Sequence, residues 1–250
     1  MADANIQAGW RGEAAEWLRT LAAAFLAYVA FTTVAFAQYQ IPSESMVPHL
    51  EVGDRVTVSK FAYGFSRYSL PFEAGRLLPA SAQRVFGGLP RRGDVAVFIH
   101  PVTGVTMIKR AIGLPGDVIE MHDGDLIING RAVDTGPRQT LRRQAHDGPR
   151  QWAERYEEAL PDGARHSTLN LTNGAPFDNF GPFTVPEGHL FFMGDNRDNS
   201  LDSRWDGMGV VPIENLIGRA EIVYVTGSDA CGRDHTVGCT MQRWLRPTHH

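Results

Sequence analysis

A chain of 250 residues that is 43% hydrophobic and 21% charged, with 26 glycines and 15 prolines, holds apolar material for a sizeable core and is not disordered throughout. Its formal net charge of −4 and isoelectric point near 6.1 leave no global basic footprint, which speaks against nucleic acid as a partner.

In chain order, the first feature is an uncharged stretch from Thr20 to Ser43. Within it Leu21 to Ala37 is almost wholly apolar, and as a helix this run is about 26 Å long, just enough to span a bilayer. The pattern predicts one transmembrane helix over residues 20–40 after a short cytoplasmic segment, residues 1–19. A cleaved secretory signal is the competing reading, because Arg11 and Arg19 precede the run and Ala35-Phe36-Ala37 closes it with an A-x-A pattern. Either reading takes Gln38 to His250 out of the cytoplasm, although Arg11 and Arg19 against Asp3, Glu13 and Glu16 form a weak orientation signal.

Beyond the apolar run the pattern changes to short alternating segments. Asp54–Val58, Asp94–Ile99, Val105–Ile108, Leu190–Phe192 and Glu221–Val225 read as strands. Asp125–Ile128 and Arg131–Val133 flank Asn129-Gly130, whose positive φ angles suit a type I′ hairpin. The fold class expected is therefore mainly β, an antiparallel sheet domain over 41–134 and 182–226. Between its halves lies a smaller inserted lobe, 135–181, polar and rich in Arg, in which Gln151–Leu160 is expected to be a short helix. Ser66–Arg92 reads as an excursion that either touches lipid or packs on the sheet. A tail over 227–250 contains Cys231 and Cys239, the only cysteines, close enough for an oxidising compartment to bridge them.

Three segments carry groups suited to chemistry. In Ile41-Pro42-Ser43-Glu44-Ser45-Met46-Val47-Pro48 the prolines favour an extended chain, which would send Ser43 and Ser45 to one face and Glu44 to the other. One hydroxyl could then attack while the other supports a developing oxyanion. In Met107-Ile108-Lys109-Arg110, strand alternation sends Lys109 and Arg110 to opposite faces, one inward and one solvated. A lysine serves as a base only when neutral, and desolvation lowers its pKa. The run Gly194 to Arg204 is the densest in polar residues, but Ser200 stands where a calcium loop requires Gly and Asp206 where it requires Glu. No metal or cofactor is expected.

Together with Pro90–Phe98, these segments resemble, in order, the signature boxes of the bacterial type I signal peptidases, a Ser/Lys serine protease family. The resemblance implies a β fold that hydrolyses secretory preproteins after small A-x-A residues. It implies a single-pass protein of the inner membrane with its catalytic domain on the periplasmic side, working at the lipid bilayer near the protein-export channel. By position it makes Ser45 the nucleophile, Lys109 the general base, and Ser43 a hydroxyl of the oxyanion hole alongside the Ser45 N–H. Ser200 would orient the lysine, and Asp202 and Arg204 would support the site, with Asp195 and Arg197 beside them. Ile41, Pro42, Val56, Val97, Met107 and Ile108 fall where substrate pockets are walled.

The sequence departs from the family pattern at His49, where Thr is usual, and in having one apolar helix where Gram-negative relatives carry two. A Ser45–His49 pair is rejected because four residues of extended strand cover about 13 Å. Rival readings are a processing peptidase of a specialised system, a soluble self-cleaving Ser/Lys regulator, a Ser-His-Asp hydrolase and an anchored binding module. The apolar helix opposes the regulator, and the surroundings of Ser45 lack the G-x-S-x-G elbow of the Ser-His-Asp hydrolases.

Overall fold

The computed structural model describes residues 2–70, 75, 77, 79, 84–226 and 245–248, so Cys231 and Cys239 lie outside the described residues. A 33-residue helix α1 (Ala2–Val34) opens the chain. It ends earlier than the 20–40 span expected, because Phe36–Gln40 forms strand β1. That strand pairs with β2 (Arg55–Ser59) from Phe36↔Ser59 to Gln40↔Arg55, and cross-strand hydrogen bonds take over where the apolar run meets Gln38 and Gln40. Among the described residues no helix is long and apolar enough to cross a membrane. Even so, Leu18, Leu21, Phe25, Leu26, Tyr28 and Phe31 all stand exposed on α1.

The rest is almost entirely strand. β3 (Val95–Ile99) and β4 (Thr106–Gly113) lead into β5 (Val118–His122), β6 (Asp125–Ile128) and β7 (Arg131–Ala132). β8 (Asp134–Thr135), β9 (Gln139–Gln144), β10 (Arg150–Ala159) and β11 (Arg165–Asn170) make a separate four-stranded sheet. β12 (Phe180–Thr184) returns to pair with β5 in a second four-stranded sheet, in the order β12-β5-β6-β7. β13 (His189–Met193), β14 (Val211–Pro212) and β15 (Leu216–Val225) complete the main antiparallel sheet, ordered β1-β2-β15-β3-β4-β13-β14, with β16 (Arg246–Pro247) on β15.

The main sheet carries core on both faces. Along β3, Val95 and Val97 enter one apolar cluster with Ile41, Met46, Leu50, Val56, Val58 and Val223. Ala96 and Phe98 enter another with Tyr63, Ala111, Leu190 and Phe192, where the Phe98 and Phe192 rings stack 4.4 Å apart. The hairpin expected at Asn129-Gly130 forms, with φ of 53° and 74° at the two residues and Ile128 opposite Arg131.

The helix expected over Gln151–Leu160 does not form, since Gln151 to Ala159 belong to β10 and Leu160 follows it. Their Ala, Glu and Leu content favours helix locally, but β10 is hydrogen-bonded to β11 on one edge and to β9 and β8 on the other. Tertiary pairing overrides propensity. Strand alternation then buries Tyr156 and Glu158 on one side and leaves Glu157 exposed. In the excursion after β2, Arg84 ties the chain down by donating to the carbonyls of Gly64 at 2.9 Å, Ile213 at 3.0 Å and Leu216 at 2.6 Å, while Leu77 and Phe86 point to the outside.

Candidate active site

Ser45 sits in a 3-10 turn, Glu44–Met46, directly after Ser43, which is extended at φ −141° and ψ 161°. The extended segment expected here is therefore interrupted. The Val47 N–H donates to the Glu44 carbonyl at 3.1 Å and the Leu50 N–H to the Met46 carbonyl at 2.8 Å, curling the chain while Met46 and Leu50 anchor it in the core. Ser43 and Ser45 still meet, their hydroxyls 3.3 Å apart.

The curl also removes the strand-distance argument about His49, which lies within it. His49 is buried and its carbonyl accepts from Arg246. His166, in the same region, has its pKa held well below the usual value by burial first and then by Arg110 and Arg197. The Ser45 hydroxyl has Lys109 and Ser43 as its hydrogen-bond neighbours.

Lys109 comes from β4, paired with Ala96 of β3. Its Nζ donates to Ser45 Oγ at 2.6 Å and to the Ile108 carbonyl at 3.2 Å, and the residue is 3% exposed. Burial lowers its pKa to about 8, against the opposing pull of Asp202 and Asp195, which favour the charged form. Arg110 is not solvated, as alternation alone suggested. It is equally buried and donates through Nε and Nη2 to the two carboxylate oxygens of Asp195 at 2.8 and 2.6 Å, with Nη1 on the Gly93 carbonyl at 2.7 Å. A guanidinium this deep needs a fork of acceptors, and the loop after β13 supplies it.

That loop, Gly194 to Arg204, packs against the Glu44–Met46 turn. The Asn196 N–H donates to the Ser45 carbonyl and its Nδ2 to the Glu44 carbonyl, both at 3.1 Å. Gly194 admits no side chain: a Cβ there would lie 2.3 Å from Ser200 Oγ and 2.5 Å from the Ser45 carbonyl oxygen. Asp202 and Arg204 are buried together, Arg204 Nε and Nη2 donating to the carboxylate at 2.9 and 2.8 Å while the Gly194 N–H donates to it at 2.9 Å. Burial would raise the Asp202 pKa, but Arg204 and these hydrogen bonds hold it below the usual carboxylate value. Arg197 is buried against Glu158 of β10, near His166. Ser200 is buried beside the site, and its hydroxyl makes no hydrogen bond to Lys109.

Ser43, Ser45, Lys109 and Ser200 open onto one cleft of about 340 Å³, walled by Met107, Phe177 and Leu201. Of the other residues expected along substrate pockets, Ile41, Val56 and Val97 are buried in the core cluster beneath, Ile108 packs against that cluster, and Pro42 is exposed at the start of the turn. Sequence reasoning missed Asn196, Gly194 and Arg143. The signal for the first two was present in the dense polar run, whereas Arg143, which donates to Glu44 Oε1 at 2.7 Å, lies in the lobe with no local mark. Among the described residues no cluster of His, Cys, Asp or Glu is arranged to hold a metal ion.

A family model described as signal peptidase, peptidase S26, matches residues 14–225. The chain is 37% identical over 193 residues to a signal peptidase I of Rickettsia typhi (strain ATCC VR-144 / Wilmington), covering 74% of this chain and 70% of that one. It is 39% identical over 199 residues to a signal peptidase I of Pseudomonas fluorescens, covering 75% and 64%. The crystal structure of a signal peptidase I from Enterococcus faecalis V583 aligns at 26% identity over 53% of this chain and 97% of that one, with a TM-score of 0.31.

Proposed function

The chain belongs to the signal peptidase I, peptidase S26, family of serine peptidases, which cleave signal peptides from preproteins, and from that premise we propose how its own residues perform the cut. Ser45 is the nucleophile and Lys109 its general base. The neutral amine takes the hydroxyl proton as Ser45 Oγ attacks the scissile carbonyl, and the resulting ammonium then gives that proton to the departing amine. The Ser45 N–H and the Ser43 hydroxyl stabilise the oxyanion. Lys109 next activates a water that releases the signal peptide from the acyl-enzyme. The observation that carries this reading is the 2.6 Å approach of Lys109 Nζ to Ser45 Oγ at a buried site.

Ser200, Asp202 and Arg204 support the base and the loop beside it. Ile41, Pro42, Val56, Val97, Met107 and Ile108 form or back the pocket walls. An extended peptide sends alternate residues to one wall, so small side chains are required one and three residues before the cut.

The same reading makes the apolar half of α1 a single-pass anchor in the inner membrane, with the sheets on the periplasmic side and near the export channel. Its support is the row of exposed bulky apolar side chains from Leu18 to Phe31, which water disfavours and lipid accepts. Incubating the detergent-solubilised chain with a secretory preprotein tests the function. One cut after A-x-A is expected, and turnover that persists when Phe replaces the residue before the cut would defeat the pocket assignment.

A further inference from the structure

We infer that Glu44 is a positioning residue for the reaction, a carboxylate that ties the nucleophile turn through Arg143 to the β8–β11 sheet of the inserted lobe. The inference rests on Ser45 as the nucleophile. The turn Glu44–Met46 is one 3-10 cycle, closed by a single hydrogen bond from the Val47 N–H to the Glu44 carbonyl. A single turn does not hold its own conformation in water, so its shape has to be imposed from outside.

Two remote elements impose it. Asn196 holds the main chain, donating to the carbonyls of Glu44 and Ser45. The lobe holds the side chain. Glu44 Oε1 accepts from Arg143 Nη1 at 2.7 Å and from the His146 N–H at 3.1 Å, and Oε2 faces Asn199 Nδ2 at 3.4 Å. Arg143 also lies 3.7 Å from Glu51 Oε2. The two side chains of the main pair are 14% and 12% exposed, so solvent screens them little.

The turn is thus strung between β9, which Glu44 reaches, and β4, which Ser45 reaches. A largely buried ion pair adds little net stability, because desolvation offsets most of its attraction. What it fixes is placement: Ser45 approaches Lys109 at 2.6 Å only while the turn keeps its orientation, and a displacement of about 1 Å in a reacting group costs about 100-fold in rate.

The test uses the full chain and a peptide bearing the cleavage site. Glu44→Gln keeps the shape and removes the charge, Arg143→Met keeps the stem, and both are measured singly and together. Glu44→Gln should lower kcat by about 10- to 100-fold with KM within about twofold, and the pH midpoint of kcat should stay with Lys109. The double variant should be no worse than the poorer single one, since both remove one link. Full kcat in Glu44→Gln, losses that multiply in the double variant, or recovery of kcat on cooling below a lowered melting temperature would each overturn the positioning role. Ser45→Ala is assayed alongside: full activity there would overturn the nucleophile itself, whereas a dead Ser45→Ala beside a fully active Glu44→Gln defeats the positioning role alone.

Discussion

Arg110 and Asp195 face each other through two hydrogen bonds of 2.8 and 2.6 Å inside the protein, one residue along β4 from Lys109. This pair couples the strand that carries the lysine to the loop that closes over Ser45, because Asp195 is followed by Asn196, whose N–H donates to the Ser45 carbonyl. Removing one partner of a buried pair strands the other charge, at about 3–5 kcal/mol. Arg110→Met is expected to lower stability by that order in denaturant melts. Arg110→Lys should also destabilise, since an ammonium cannot reproduce the two-pronged contact.

Ser45→Ala and Lys109→Ala should each reduce kcat/KM by about four orders of magnitude or more, and the double variant should fall little further. His49→Ala should retain most of the activity, because the Ser45 hydroxyl bonds to Lys109 and Ser43. Steady-state cleavage of one peptide by all four variants checks this, and an inactive His49→Ala would refute the Ser/Lys assignment.

Burial lowers the Lys109 pKa from 10.5 to about 8, so the cleavage rate should climb through a midpoint near that value as the amine becomes neutral. Asp202→Asn should move the midpoint lower, since Asp202 favours the charged form. Stability follows the same protonation. Below the folded pKa the penalty for a charged buried amine is fully present, and between about 8 and 10.5 the unfolded chain binds more protons, so stability rises with pH across that window. A depression of this size corresponds to roughly 3 kcal/mol. Lys109→Met removes the amine, so at pH 7 it should be inactive yet at least as stable as the parent, with its advantage shrinking between about pH 8 and 10.5. Melts of both proteins below and above that window read the difference.

Gly194→Ala should damage both fold and rate. The added methyl would sit 2.3 Å from Ser200 Oγ and 2.5 Å from the Ser45 carbonyl oxygen, and although a hydroxyl can rotate away, the carbonyl is main chain. A loss of about 1–3 kcal/mol in stability and about 100-fold in kcat is expected. Calorimetry with single-turnover assays measures both, and wild-type kcat in this variant would show that the turn tolerates displacement.

The sequence alone determined a good part of this. The uncharged run of the first helix, the Asn129-Gly130 hairpin and the alternating strands are local patterns, because period and turn chemistry are properties of neighbouring residues. The family was legible from the order of the motifs, and with it Ser45 and Lys109 as the candidates for nucleophile and base. What needed the tertiary structure was everything that depends on groups far apart in the chain. Lys109 and Ser45 are 64 residues apart, and the depressed pKa exists only once the fold buries the amine. Arg110 reads as a surface residue until Asp195, 85 positions on, meets it. Gln151–Leu160 favours helix by composition, yet its residues to Ala159 become β10 through partners on both edges. Ser45 is extended by its proline neighbours and becomes a 3-10 turn because Asn196 and Arg143 reach it from remote elements. Each of these outcomes rests on hydrogen bonds and burial that one short segment cannot supply for itself, so only the assembled fold could decide them.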